Sequence, residues 1–128
     1  MMTGYVANIE DKTLNNKYFR QILFTTKNLQ LVVMALQPSE EIGEEEHPKV
    51  DQFFRIEVGE GKVVMNGVSK DFKAGDVFII PQGTKHNVIN TSKTKFLKLY
   101  TIYSPPNHRD GVIHKTKQAA ESDTTDIP

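Results

Sequence analysis

Cysteine is absent from this chain of 128 residues. Disulfides, thiolate metal ligands and a cysteine nucleophile are therefore excluded. An excess charge of either sign is also missing, because sixteen basic residues match sixteen acidic ones. The attraction that drives non-specific binding to nucleic acid or acidic membranes averages to nothing, so no nucleic-acid partner is expected. Nowhere do about eighteen apolar residues run together, and Met1 to Glu10 holds no basic segment followed by a sustained apolar run. No membrane partner and a cytoplasmic location are the expectation. The five serines lie outside any Gly-x-Ser-x-Gly elbow, and there is no Gly-x4-Gly-Lys-Ser/Thr phosphate loop and no zinc-finger spacing. Internal repeats and low-complexity segments are likewise lacking.

What is present reads as strand after strand. A chain of this length buries roughly two-thirds of its unfolded surface as one domain. Residues 1–19 are mixed and polar, a surface arm with at most one short edge strand. From Arg20 the pattern turns strand-like: Gln21 to Thr26, a Lys27-Asn28 turn, then Leu29 to Leu36, forming a hairpin. Glu40 to Glu46 carries five glutamates and reads as a solvated acidic loop. From Val50, one parity holds Gln52, Phe54, Ile56 and Val58, so Gln52 shares the inward, apolar face. Asn66-Gly67 predicts a type I′ hairpin. Val77 to Ile80 is a bulky strand reversed by Pro81 and Gly83, which aims His86 from a fixed turn. Phe96 to Tyr103 is the last long strand, stopped by Pro105-Pro106. The spacing of turn signals, with no convincing amphipathic helix, predicts an all-β barrel or sandwich. A short helix is expected near Thr116 to Glu121, and the tail from Ser122 is expected to fray.

Four side chains stand out as a candidate metal set: Glu45, His47, Gln52 and His86. In an extended segment, residues i and i+2 point the same way, so Glu45 and His47 can bind together, with Gln52 following on the next strand and His86 facing them. Two imidazoles with two oxygen donors suit Mn, Fe, Co, Ni or Zn better than Ca or Mg. The alternative is that the histidines are hydrogen-bonded rim residues and Gln52 a satisfied core amide.

The chain resembles a single-domain cupin, a double-stranded β-helix or jelly-roll barrel. The pattern Gly-x5-Pro-x-Gly-x2-His-x3-Asn is matched in full by Gly75, Pro81, Gly83, His86 and Asn90. The companion pattern, Gly-x5-His-x-His-x3,4-Glu-x6-Gly, is matched in part: His47 and Gly59 fit, while Ser39, Glu45 and Gln52 stand in the slots of glycine, histidine and glutamate. The resemblance implies a divalent transition metal, and the exchange of Glu45 and Gln52 keeps the ligand charge at its usual minus one. It implies a barrel over residues 20–104, between an N-terminal arm (1–19) and a C-terminal arm and tail (105–128), and it implies a homodimer.

The arm beyond the barrel, with His108, Arg109, Asp110 and His114, is similar to that of small bacterial cupins described as mannose-6-phosphate-isomerase-like. His108 and His114 are pocket candidates there, or parts of a proline-ordered arm lying on the barrel. Phe54, Tyr100 and Tyr103 are aromatic candidates for the pocket wall. The resemblance implies a metal-dependent, isomerase-like enzyme acting on a small polar metabolite, a sugar or sugar acid; some cupins of pectin breakdown place glutamine in the glutamate slot. A metal-dependent dioxygenase and a non-catalytic sugar-binding or sensory barrel are the alternatives.

Overall fold

The computed structural model describes residues 3–126; the outermost residues of the two expected arms, 1–2 and 127–128, lie outside the described residues. In chain order the elements are α1 (Ile9–Asn15), β1 (Arg20–Thr25), β2 (Gln30–Leu36), β3 (Asp51–Val58), β4 (Glu60–Met65), β5 (Val68–Lys73), β6 (Val77–Ile80), β7 (His86–Asn90), β8 (Leu97–Ser104), β9 (Ile113–His114) and α2 (Lys117–Ser122). Six strands form one sheet in the order β6-β3-β8-β2-β1-β9, and three form a second in the order β5-β4-β7, all pairs antiparallel. The apolar parity of each strand faces the space between the sheets, where Val32, Met34, Leu36, Phe54, Ile56, Val63, Ile80, Val88, Leu97 and Leu99 make the core. This is the expected all-β, double-stranded β-helix. The Asn66-Gly67 turn joins β4 to β5, with φ of 49° and 82°, the positive pair that a type I′ turn requires.

Three local expectations are corrected. Residues 9–15 form a helix rather than a strand or loop, because Asn8 caps it, its side chain accepting from Asp11 N at 2.9 Å, and Glu10 and Asp11 complement the helix dipole. The helix packs on β8, β3 and β2. The acidic segment is not a free loop: Ile42 N donates to Val88 O, and Glu45 and His86 exchange backbone hydrogen bonds of 2.8 Å, so the segment runs along β7 as an edge. The tail does not fray over its described part, since Asp126 is buried. In β6 only Phe78 and Ile80 turn inward, leaving Val77 and Ile79 exposed. The Ser104–Pro105 bond, which opens the C-terminal arm, is cis.

Candidate metal centre

The two halves of the site are tied through the backbone before any side chain meets. The Glu45–His86 bridge aligns the acidic edge with β7, and Gly83 N donates to His47 O at 2.8 Å, fastening the Pro81–Gly83 turn to the other half. Gly83 takes φ 77°, which that reversal needs. Asn90 then locks the base of β7: its Nδ2 reaches Leu36 O, Gln37 O and Lys95 O, and its Oδ1 accepts from Ser92 N.

Within this frame one ligand atom each from Glu45, His47 and His86 lie within 4.8 Å of one another. Two donors on opposite sides of one ion, with bonds near 2.1 Å, stand about 4.2 Å apart, so a small contraction suffices. The protonation pattern suits an ion. His86 Nδ1 lies 2.8 Å from Thr84 O, a carbonyl that only accepts, so the ring proton sits there and Nε2 keeps its lone pair. His47 is held below the ordinary histidine range, by burial first and then by His86 and Arg20, with Glu45 pulling the other way. Its ring lies 5.4 Å from that of His86 and edge-on to Tyr103 at 6.1 Å.

Gln52, paired within the six-stranded sheet with Ile80 of β6 and Tyr103 of β8, is oriented as firmly. Thr101 Oγ1 donates to Phe53 O and so must accept from Gln52 Nε2, at 3.0 Å, which leaves the amide oxygen inside the barrel. His47 Nε2, His86 Nε2 and Gln52 Oε1 are all buried with no hydrogen-bond partner. Buried polar atoms are ordinarily satisfied, and a divalent ion would satisfy all three. The residues present therefore fit a metal, with Glu45 as the anionic donor.

The remaining candidates separate. Phe54 is core, stacked on Phe78 at 4.7 Å, and is not among the residues lining the cavity beside Glu45. Tyr100 faces outward and packs near Phe53 at 6.3 Å, because its parity on β8 is opposite to that of Tyr103; its expected place at the pocket is corrected. His108 and His114 are both buried, and each is paired with an aspartate of the tail. His108 Nδ1 lies 2.7 Å from Asp126, and His108 Nε2 lies 3.1 Å from Tyr103 Oη. His114 Nε2 lies 2.9 Å from Asp123, and His114 Nδ1 lies 3.2 Å from Arg20 Nη1. A cavity of about 160 Å³ opens beside the centre, lined by Glu45, Arg20, Phe19, Ile42, His108 and Asp126, with α2 along its rim.

Sequence reasoning passed over Arg20, Asp123 and Asp126. Arg20 did carry a signal, a charge on the inward parity of β1 with Ile22. The aspartates carried none, since their role exists only once the tail folds back.

Comparison with known proteins identifies the fold and the family. The chain is 49% identical over 123 residues to the uncharacterized protein YrkC of Bacillus subtilis (strain 168), an alignment covering 91% of this chain and 65% of that protein, so the chain spans somewhat under two thirds of its length. Among solved structures, the Bacillus halodurans protein BH2720 superposes with a TM-score of 0.90 at 42% identity, covering 93% of this chain and 94% of that one. A Thermotoga maritima protein described as a predicted oxalate decarboxylase matches with a TM-score of 0.58 at 28% identity, over 62% of this chain and 69% of its own. The family model for the cupin domain matches residues 32–103, more than half of the chain, and with β3 to β7, most of β2 and β8 and all four candidate donors inside that span, the chain belongs to the cupin family.

Proposed function

We propose that this cupin is a metal-dependent enzyme acting on a small oxygen-rich metabolite, a sugar or sugar acid, by proton transfer of the isomerase type. The carrying observation is the trio of buried, unpartnered polar atoms, His47 Nε2, His86 Nε2 and Gln52 Oε1. With Glu45 they would hold Mn, Fe, Co, Ni or Zn. When bound, such an ion supplies Lewis acidity at adjacent substrate oxygens. The chain supplies the rest. Tyr103 Oη is linked through His108 to Asp126; the latter two line the cavity, and in this reading the buried chain would hold the proton exchanged with a substrate oxygen. Burial keeps the phenol far above its ordinary titration range, so it enters as a neutral hydroxyl. The cavity is smaller than the usual ~300–1,000 Å³ pocket of a drug-sized ligand, which favours a small substrate. The resemblance of the arm from His108 to His114 to mannose-6-phosphate-isomerase-like cupins, a likeness read from sequence alone, favours a sugar or sugar acid, and the fold's likeness to a protein described as a predicted oxalate decarboxylase favours a small acid.

Elemental analysis of untagged protein, followed by turnover assays of the metal-loaded form with aldoses, ketoses and uronates, tests this reading. Bound transition metal with turnover is expected; oxygen consumption by the iron form would move the reaction to a dioxygenase, and metal-free protein would leave a binding barrel. The homodimer belongs to the same proposal. Edge strand β6 leaves Val77 and Ile79 exposed, and an unpaired edge invites a second copy; a monomer in sedimentation equilibrium would remove it.

A further inference from the structure

We propose that Arg20 binds a carboxylate of the substrate, beside the metal centre, and that the C-terminal arm holds it in place to do so. The inference deepens the functional reading above and rests on it. Arg20 is 7% exposed and lines the cavity together with Glu45 and His108. Among the described residues it forms no ion pair, although a buried charge is ordinarily matched by an opposite one. Its Nε is buried with no partner. Nη1 is engaged by His114 Nδ1 at 3.2 Å, and Nη2 makes no hydrogen bond among the described residues.

Arginine only donates, so His114 Nδ1 accepts, and its ring proton lies on Nε2, facing Asp123 at 2.9 Å. The order Asp123–His114–Arg20 turns the guanidinium on a fixed hinge and supplies no neutralising charge in direct contact. A planar fork of donors held this way matches a carboxylate. The cavity charge is consistent. Arg20 and Lys117 face Glu45, Glu121 and Asp126 across it, and His108 is held neutral by its surroundings. A divalent ion turns this deficit of one positive charge into an excess of one. A ligand that places one oxygen at the metal and its carboxylate at Arg20 satisfies both.

The test uses Mn-loaded full-length protein, with glycerate as probe, glycerol as its uncharged counterpart and inorganic phosphate as a third arm. Affinity is read by calorimetry and by thermal shift, and Mn content is measured in every sample. Glycerate is expected to bind and stabilise the protein where glycerol does not. Arg20→Gln is expected to weaken glycerate by about tenfold or more, with Arg20→Lys intermediate because it offers a single point charge. Asp123→Asn, acting through His114, is expected to give a smaller loss without altering Mn content. If Arg20→Gln unfolds, the discrimination of wild type between glycerate and glycerol, with the Arg20→Lys affinity, still decides. Equal effects of glycerate and glycerol, unchanged glycerate affinity in the Arg20 variants, or phosphate binding in place of glycerate would each overturn the assignment. Protein that holds no Mn sinks the metal reading alone, because glycerate binding to the metal-free form, weaker but still dependent on Arg20, is measured separately.

Discussion

Ser39 occupies a left-handed backbone conformation, φ 65°, at an exposed position where the family pattern places glycine. A side chain there costs roughly 1 kcal/mol through contact of Cβ with the following carbonyl. Ser39→Gly is therefore expected to raise stability by up to about 0.5 kcal/mol in urea unfolding, the greater freedom of glycine in the unfolded chain offsetting much of the gain. Gly59 illustrates the opposite case. It has φ 99°, and a Cβ would sit 2.8 Å from Phe96 O, so the pattern's closing glycine admits no replacement. Asn90 is 1% exposed and spends both amide hydrogens and its oxygen on backbone groups at the end of β2 and in the β7–β8 connection. Asn90→Ala strands those carbonyls and is expected to cost about 2–4 kcal/mol; a loss under 1 kcal/mol would show that water replaces it freely.

At the scale of elements, the C-terminal arm behaves as part of the site wall. Gln30, fully buried on β2, grips it by accepting from Asn107 N and His108 N and donating to His108 O. The arm then returns two aspartates, Asp126 to His108 and Asp123 to His114. Asp123 is held below the usual carboxylate range, first by the Thr125 hydroxyl and then by His114. Burial, and next Arg20, lower His108 to about 4 against the pull of Asp126. Neutral His108 meets both of its neighbours, donating from Nδ1 to Asp126 and accepting at Nε2 from Tyr103. The pH consequence follows from linkage. Above the ordinary histidine value of about 6.5, folded and unfolded forms are both neutral at this residue; between there and 4 only the unfolded chain takes the proton. Stability is thus lost as pH falls through that window and the loss levels off below it. On the order of 2 kcal/mol should disappear between pH 7 and pH 5 in wild type, and His108→Gln should remove most of that slope in paired urea titrations. An unchanged slope would place the proton elsewhere.

At the scale of the whole molecule, the metal centre joins the acidic edge, β3 and β7, so an ion would link both sheets. Binding to the folded form alone stabilises it by about 2.7 kcal/mol at a hundredfold excess over the dissociation constant. Adding Mn to chelator-treated protein is expected to raise the melting temperature by several degrees, and His86→Ala to abolish that rise while keeping the strand content seen by circular dichroism. Among the described residues no helix is long and apolar enough to cross a membrane. The barrel was legible in the chain because strand parity and turn residues act locally: Gln52, Phe54 and Ile56 had to share a face, and Pro81 with Gly83 had to reverse the chain before His86. The donor set could be named because side-chain chemistry and i, i+2 spacing are also local. The helix at residues 9–15 was too short for its periodicity to register, and Tyr100 was misplaced although its parity on β8, opposite to that of Tyr103, already turned it outward. What the sequence by itself determined, then, was the strands, their turns and the kinds of donor available. Only the tertiary structure decided that Asp123 and Asp126 return from the tail to hold His114 and His108, and through them Arg20 and Tyr103. Those contacts join residues up to about a hundred positions apart, and no local preference encodes which of many exposed carboxylates will close such a loop.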